Sequence, residues 1–287
     1  MENTAIALGT FDGVHIAHKA VLSAAANSKN SVAVAFCVPP KAFFTDSGII
    51  LTDIEEKNQL IKDIGINTVD YLDFKEVKNI SPEDFFNYLK KKYAPTKIVC
   101  GYDYTFGKGG EGNTPLLKKL CEESGISLLI IDKVSVDQRA VSSSLIRQLL
   151  KNGETKKANS LLGHPFSFKS KVIHGQERGR KINFPTVNQL IDKTTAQVKF
   201  GVYMTKAQIG DKEYYGMTNI GLRPTFPCHS PICETHFFDL DENLYDKDLR
   251  LYLLEFIREE KKFSGLTQLK AAIEKDKEYI ITKIGKI

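Results

Sequence analysis

The sequence predicts two domains of different class: an α/β domain on a parallel sheet, then an all-β domain that forms a small barrel and ends in a helix. Three observations carry this. The chain has 287 residues, about twice the length of a typical domain. Up to Gly163, short apolar runs alternate with stretches of helical spacing, the pattern of a parallel sheet covered by helices. After Gly163-His164-Pro165 the texture changes to strand-length segments separated by Gly, Asp and Pro turns. The expected domains are therefore 1–163 and 164–287.

Taken in order, Ala5–Leu8 predicts a short strand ending at Gly9, and His15–Asn27 a helix. Ser31–Phe36 is a second strand, Ile54–Ile64 a helix and Thr68–Leu72 a third strand. Ser81 is placed to cap a helix running to Tyr93, with Pro82 at its first position and Asp84 at its third. Ile98–Gly101 predicts a strand, Pro115–Ser124 a helix and Ser127–Ile131 a strand. Ser142–Leu150 and Glu154–Leu162 predict consecutive helices. In the second half Phe168–His174, Gly201–Ile209, Tyr214–Ile220, Glu234–Leu240 and Leu249–Ile257 predict strands, and Leu266–Ile284 the closing helix.

Composition narrows the classes. Hydrophobic residues make up 42% and charged residues 26%, ordinary for a globular protein. No apolar run approaches the roughly 20 residues that span a bilayer, and MENTAIALGTFDGVH lacks the basic start of a signal peptide. A cytoplasmic protein without membrane contact is expected. The net charge is +5, with lysines set beside acids as in Glu259-Glu260-Lys261-Lys262. That pattern describes solvated faces rather than a nucleic-acid groove, so no nucleic-acid partner is expected. The five cysteines, Cys37, Cys100, Cys121, Cys228 and Cys233, are scattered and predict neither a disulfide framework nor a zinc site. Oligomeric state is left open.

Two constellations carry chemistry. Gly9-Thr10-Phe11-Asp12-Gly13-Val14-His15-Ile16-Ala17-His18 sits where the first strand turns into a helix. Its glycines admit a close ligand, and a helix N-terminus favours phosphate. His15 and His18, three apart, share a helix face and could hold ATP phosphates while charge develops on the α-phosphoryl group and pyrophosphate. Ser142, Ser143 and Ser144 at a later helix start offer hydroxyls to phosphate, with the cation Arg147 one turn in.

The second constellation is Gly175-Gln176-Glu177-Arg178-Gly179-Arg180-Lys181-Ile182-Asn183-Phe184-Pro185-Thr186-Val187-Asn188. Gly175, Gly179 and Arg180 belong to a loop fit to cover phosphates. Thr186 and Asn188, two apart, share a face in extended chain and could hold Mg²⁺ through a hydroxyl and an amide oxygen.

The first string resembles the HxGH-type nucleotidyltransferase signature of bacterial FAD synthetases, with Ala17 where that family carries glycine. Val141-Ser142-Ser143-Ser144-Leu145-Ile146-Arg147 and Gly101-Tyr102-Asp103-Tyr104-Thr105-Phe106-Gly107 are similar to two more of its motifs. Phe36-Cys37-Val38-Pro39-Pro40 lies where the family has F-D-P-H-P, so its histidine is lost around Pro39-Pro40. The second string resembles the riboflavin kinase signature, with Asn183 replacing a glycine; Asn219-Ile220-Gly221-Leu222-Arg223-Pro224-Thr225 and Glu234-Thr235-His236 fit the same family, and Asp246 stands where it has glycine.

The resemblance spans nearly the whole chain. It implies a Rossmann-like nucleotidyltransferase domain and a riboflavin-kinase-type barrel. Riboflavin would be phosphorylated to FMN and FMN adenylylated to FAD, with ATP as co-substrate, Mg²⁺ as cofactor, and flavins as substrate and product. It assigns Glu234 as general base and Gly9, Phe11, Asp12 and Gly13 to the ATP site. Asp103, Tyr104, Phe106, Arg223, Pro224 and Thr225 go to the flavin and nucleotide pocket. An enzyme of the family with only one of the two activities, and a flavin- or nucleotide-sensing module, are the alternatives.

Overall fold

The computed structural model describes residues 3–40, 50–175, 184–222 and 231–285. The chain divides into two compact units, Met1–Asp46 with Thr52–Leu145, and Ser47–Leu51 with Ile146–Ile287.

In the first unit the elements are β1 (Thr4–Leu8), α1 (Ile16–Ala26), β2 (Asn30–Phe36), α2 (Ile54–Asp63), β3 (Thr68–Leu72), a short α3 (Phe74–Val77), α4 (Pro82–Tyr93), β4 (Lys97–Gly101), α5 (Thr114–Glu123) and β5 (Ser127–Ile131). The strands form one parallel sheet in the order β3-β2-β1-β4-β5. Alternation sorts β1 onto two faces. Ala5 and Ala7 pack with Val21, Leu22 and Ala25 of α1 and Ile61 of α2. Ile6 and Leu8 pack with Phe85, Phe86 and Leu89 of α4 and Leu117 and Cys121 of α5. Both faces are thus covered, as near-continuous apolar strands require. Burial pushes the Cys100 thiol up to about 12 and the Cys121 thiol to about 11, so both are inert core thiols.

The start of α4 is as predicted: Ser81 Oγ accepts the Asp84 N–H at 3.1 Å, with Pro82 in the first turn. The periodicity did not reveal α3, nor the hairpin of β6 (Ser135–Val136) and β7 (Arg139–Ala140). Asp137 and Gln138 join that hairpin at φ +48° and +62°, the left-handed pair of a tight two-residue turn.

The chain leaves the first unit within α6 (Ser143–Asn152), and α7 (Thr155–Leu162) belongs to the second. The compact units therefore divide earlier than the 163/164 break expected from the change of texture. Asn159 ties α7 to the barrel. Its Nδ2 donates to Leu253 O at 2.8 Å and its Oδ1 accepts from Phe166 N at 2.9 Å, fastening α7 to two barrel strands.

Those strands belong to a closed barrel of β8 (Phe166–Ile173), β9 (Val187–Leu190), β10 (Gly201–Ile209), β11 (Lys212–Gly221), β12 (Ile232–Phe237) and β13 (Asp248–Arg258), ordered β10-β11-β12-β9-β8-β13 and antiparallel throughout. Strand β9 is short and polar and was not predicted. β12 stops before the predicted Leu240 because Asp239, at φ +57°, turns the chain. Inside the barrel the hydroxyls of Thr205, Thr218 and Thr235 form a ladder with steps of 2.8 Å.

Helix α8 (Leu266–Ile284) packs outside, its Ile280 against Val202, Met204 and Met217. Arg258 anchors it by donating from Nε and Nη2 to Asp276 at 2.7–3.1 Å. The pair is 28% and 7% exposed, so losing one partner costs less than in a fully buried pair. Asp276→Asn is expected to lower stability by about 2 kcal/mol, read as a lower urea midpoint at unchanged slope. Asp246 sits at φ +64°, the left-handed region that glycine enters without a Cβ penalty. Asp246→Ala is expected to be less stable than Asp246→Gly by about 1 kcal/mol, measured by the same unfolding curves.

Two candidate active sites

The sheet order reverses at β1, whose Leu8 pairs with Val34 of β2 on one side and Cys100 of β4 on the other. Loops leaving β1 and β4 thus emerge side by side at the carboxyl edge, where open α/β sheets bind ligands. Gly9 gives the Phe11 ring its room: a Cβ there would lie 2.8 Å from that ring, which would have to shift. Phe11 is buried in the core and meets His18 edge-on, with centroids 5.4 Å apart. Its side chain shapes the turn from within. Phe11, Gly13 and Val14 take φ values of +48°, +86° and +38°; for β-branched Val14 this is strained, of a kind found at functional turns.

That fold-back lets His15 cap α1. Its Nδ1 accepts the His18 N–H at 3.3 Å, so the neutral ring carries its proton on Nε2. The two imidazoles stack at 3.5 Å and 15°. Burial first, then His15 and Lys57, hold the proton affinity of His18 well below the usual imidazole range. His18 Nδ1 is buried without a hydrogen-bond partner among the described residues.

Three side chains brace the turn. Gly13 N donates to Thr52 Oγ1 at 3.1 Å, and Ser143 Oγ donates to the carbonyl of buried Asp12 at 2.9 Å. Lys57 Nζ donates to Phe36 O at 3.0 Å and Thr10 O at 3.5 Å. The serine segment and the histidine turn, 131 residues apart, are thereby joined. Ser142 Oγ accepts the Leu145 N–H at 3.2 Å as a helix cap, Ser144 is exposed, and half-buried Arg147 follows on α6. Thr52 and Lys57 escaped the sequence reading. The available signal was spacing, since Lys57 lies four residues before buried Ile61 on the same helix face.

In the loop after β4, Asp103 is exposed, and Tyr104 and Phe106 stack with centroids 5.8 Å apart. Phe106 is core, bonded through its backbone to Gly112 at 2.9 and 3.0 Å. Burial raises the Tyr104 phenol far above its ordinary value. Ala17 lies half-buried in the first turn of α1, and Pro39 is buried after β2.

On the barrel, Asn188 of β9, Glu234 of β12 and Asn219 of β11 are directly opposite one another in the ladder. They form a polar row on the outer face, because the alternating Thr235 and Thr218 point inward. Asn188 is buried, and its Oδ1 lacks a hydrogen-bond partner among the described residues. Gly175 makes room for it: a Cβ there would lie 2.2 Å from Asn188 Nδ2. An unsatisfied amide oxygen on Asn188 and, two residues earlier in the chain, the half-buried Thr186 hydroxyl are hard donors of the kind that suit Mg²⁺. Among the described residues no cluster of three His, Cys, Asp or Glu offers another metal site.

His236 shares the Glu234 face, but its Nδ1 meets Pro185 O at 2.8 Å and its ring meets Phe184 edge-on. Burial lowers its proton affinity. It holds the segment that leads to Asn188, a structural role. Asn219 Nδ2 donates to Glu260 Oε1 at 3.0 Å, over Gly221, where a Cβ would come within 2.4 Å of the same oxygen. Gly179, Arg180, Arg223, Pro224 and Thr225 lie outside the described residues.

Residues 1–145 match the family model described as FAD synthetase, and residues 162–283 the one described as riboflavin kinase. A Bacillus subtilis bifunctional riboflavin kinase/FMN adenylyltransferase is 32% identical over 96% of this chain and 91% of its own length. The chain belongs to the bifunctional riboflavin kinase/FMN adenylyltransferase family. The Escherichia coli K12 member of this family is 33% identical over the same shares of the two chains. A solved Streptococcus pneumoniae structure described as a macrolide-efflux protein superposes with TM-score 0.87 at 28% identity, covering 96% of this chain and 93% of that one. In the present chain no helix among the described residues is long and apolar enough to cross a membrane. The parallel sheet is thus the nucleotidyltransferase-like domain of the family and the barrel its riboflavin-kinase-type domain.

Proposed function

We propose that this chain phosphorylates riboflavin to FMN at the barrel and transfers AMP from ATP to FMN at the sheet, giving FAD and pyrophosphate. The observation that carries the reading is the pairing of a braced histidine turn in one unit with the Asn188–Glu234 row in the other.

At the barrel, Glu234 accepts the proton of the ribityl 5′-hydroxyl as its oxygen attacks the γ-phosphorus and ADP leaves. Thr186 and Asn188 would hold Mg²⁺, which when bound neutralises phosphate charge. Gly175 opens the loop assigned to the phosphates. At the sheet, an FMN phosphate oxygen attacks the α-phosphorus of ATP and the α–β bond breaks to release pyrophosphate. His15 and His18 hydrogen-bond the phosphates, His18 as a neutral donor. Arg147, the serine segment and the Gly9–Gly13 backbone complete the anion site, and Asp103 and Tyr104 border the nucleotide. No covalent enzyme intermediate is needed, because positioning and electrostatics suffice. Reliance on ATP suits action in the cytoplasm.

Incubation with riboflavin, ATP and Mg²⁺, followed by separation of the flavins, is expected to yield FMN and FAD. Supplying FMN with ATP and Mg²⁺ tests the second step alone. Formation of neither product would overturn the reading.

A further inference from the structure

We propose that Lys57 is a positioning residue for adenylyl transfer, tying the ends of β1 and β2 to the histidine turn and setting a buried positive charge beside the phosphate site. The inference rests on the reading that this turn binds ATP.

The starting observation is that Lys57 is 0% exposed. A buried ammonium costs several kcal/mol in desolvation, and an apolar residue of similar volume is often as stable or better. The position lies on the apolar face of α2, four residues before Ile61, where an aliphatic side chain would serve packing. Lys57 instead spends two of its three N–H groups on main-chain carbonyls. Phe36 O, at 3.0 Å, is the last residue of β2, and Thr10 O, at 3.5 Å, belongs to the turn after β1. Its Nζ lies 5.8 Å from the Tyr71 ring centroid of β3. Three parallel strands thus converge on one cation at the edge where the ligand binds.

The titratable groups facing it are Asp12 of the turn, Cys37 after β2, Tyr71 of β3 and His18 of α1, with His15 stacked on His18. Asp12 and Cys37 favour the charged ammonium, against desolvation, which is the larger influence. The ammonium in turn disfavours a proton on His18. Lys57 therefore does two things at once. It fixes the carbonyl frame of the turn, and it adds to burial and His15 in opposing a proton on His18 while adding positive potential for a polyphosphate.

Two variants test this role. Lys57→Met removes charge and hydrogen bonds while keeping length; Lys57→Gln keeps a donor without charge. Both are expected to lower kcat for FAD formation from FMN and ATP by ~10–100-fold, with riboflavin phosphorylation within about twofold of wild type as the internal control. The acidic limb of the adenylylation pH profile is expected to move to higher pH, because the charge that opposes His18 protonation is gone. A purely structural contact would leave that limb in place. Circular dichroism checks folding, and if one variant fails to fold the other decides. Wild-type rate and pH profile in a folded variant would overturn the role of Lys57 alone. No FAD from the wild-type protein would remove this inference together with the functional reading.

Discussion

Glu234→Gln is expected to slow riboflavin phosphorylation by ~10²–10⁴-fold, the usual worth of a general base, and to leave FAD formation from supplied FMN unchanged. The substitution keeps the size of the side chain and the β12 pairing with Asn188 and Asn219, so the barrel is undisturbed. It removes only the capacity to accept a proton. A loss of that size is about 3–5.5 kcal/mol of transition-state stabilisation. Because the base acts after binding, kcat should fall with little change in KM for riboflavin. A rate within about threefold of wild type would take Glu234 out of the mechanism.

The second large effect belongs to His18. His18→Asn is expected to lower adenylyl transfer by ~10²–10³-fold, the cost of one lost donor to developing charge, with phosphorylation of riboflavin unaffected. It should also change how stability depends on pH. Folded His18 refuses a proton that the unfolded chain accepts below about pH 6.5, since its proton affinity is depressed by burial, His15 and Lys57. Unfolding therefore takes up a proton in that range, and stability falls as pH drops, by up to about 1.4 kcal/mol per unit. His236 is shifted in the same direction, so the variant should show a shallower acid slope rather than none. Urea midpoints measured from pH 7 to pH 5 on both proteins give the comparison.

Much of this architecture could be read from the residues. The strands of the sheet announce themselves by short apolar runs, and Ser81-Pro82-Glu83-Asp84 marks a helix start whose cap is made as expected. What escaped had weak local signals. Strand β9 is four residues long and half polar; it becomes a strand because its partners on both sides demand hydrogen bonds. Lys57 sits in Ile54-Glu55-Glu56-Lys57-Asn58, where a lysine ordinarily reads as solvent-facing. Its burial is decided by β2 and the turn, distant in sequence. In the site itself, local motif reading grouped Phe11 and Phe106 with ligand-facing residues. Both rings are buried among core residues. That α7 packs with the barrel draws on the reach of Asn159 across 94 residues to Leu253, which no local pattern discloses.

The barrel seam has a consequence for synthesis. β13 joins β8, the first strand of the barrel, to β10, so closure must wait until residues 248–258 have left the ribosome. The parallel sheet needs nothing beyond Ile131 for its last strand and can form much earlier. During translation the nascent chain therefore carries a completed parallel sheet ahead of a half whose strand edges are still unpaired. Those edges are the part of the molecule that chaperones or premature termination would meet first.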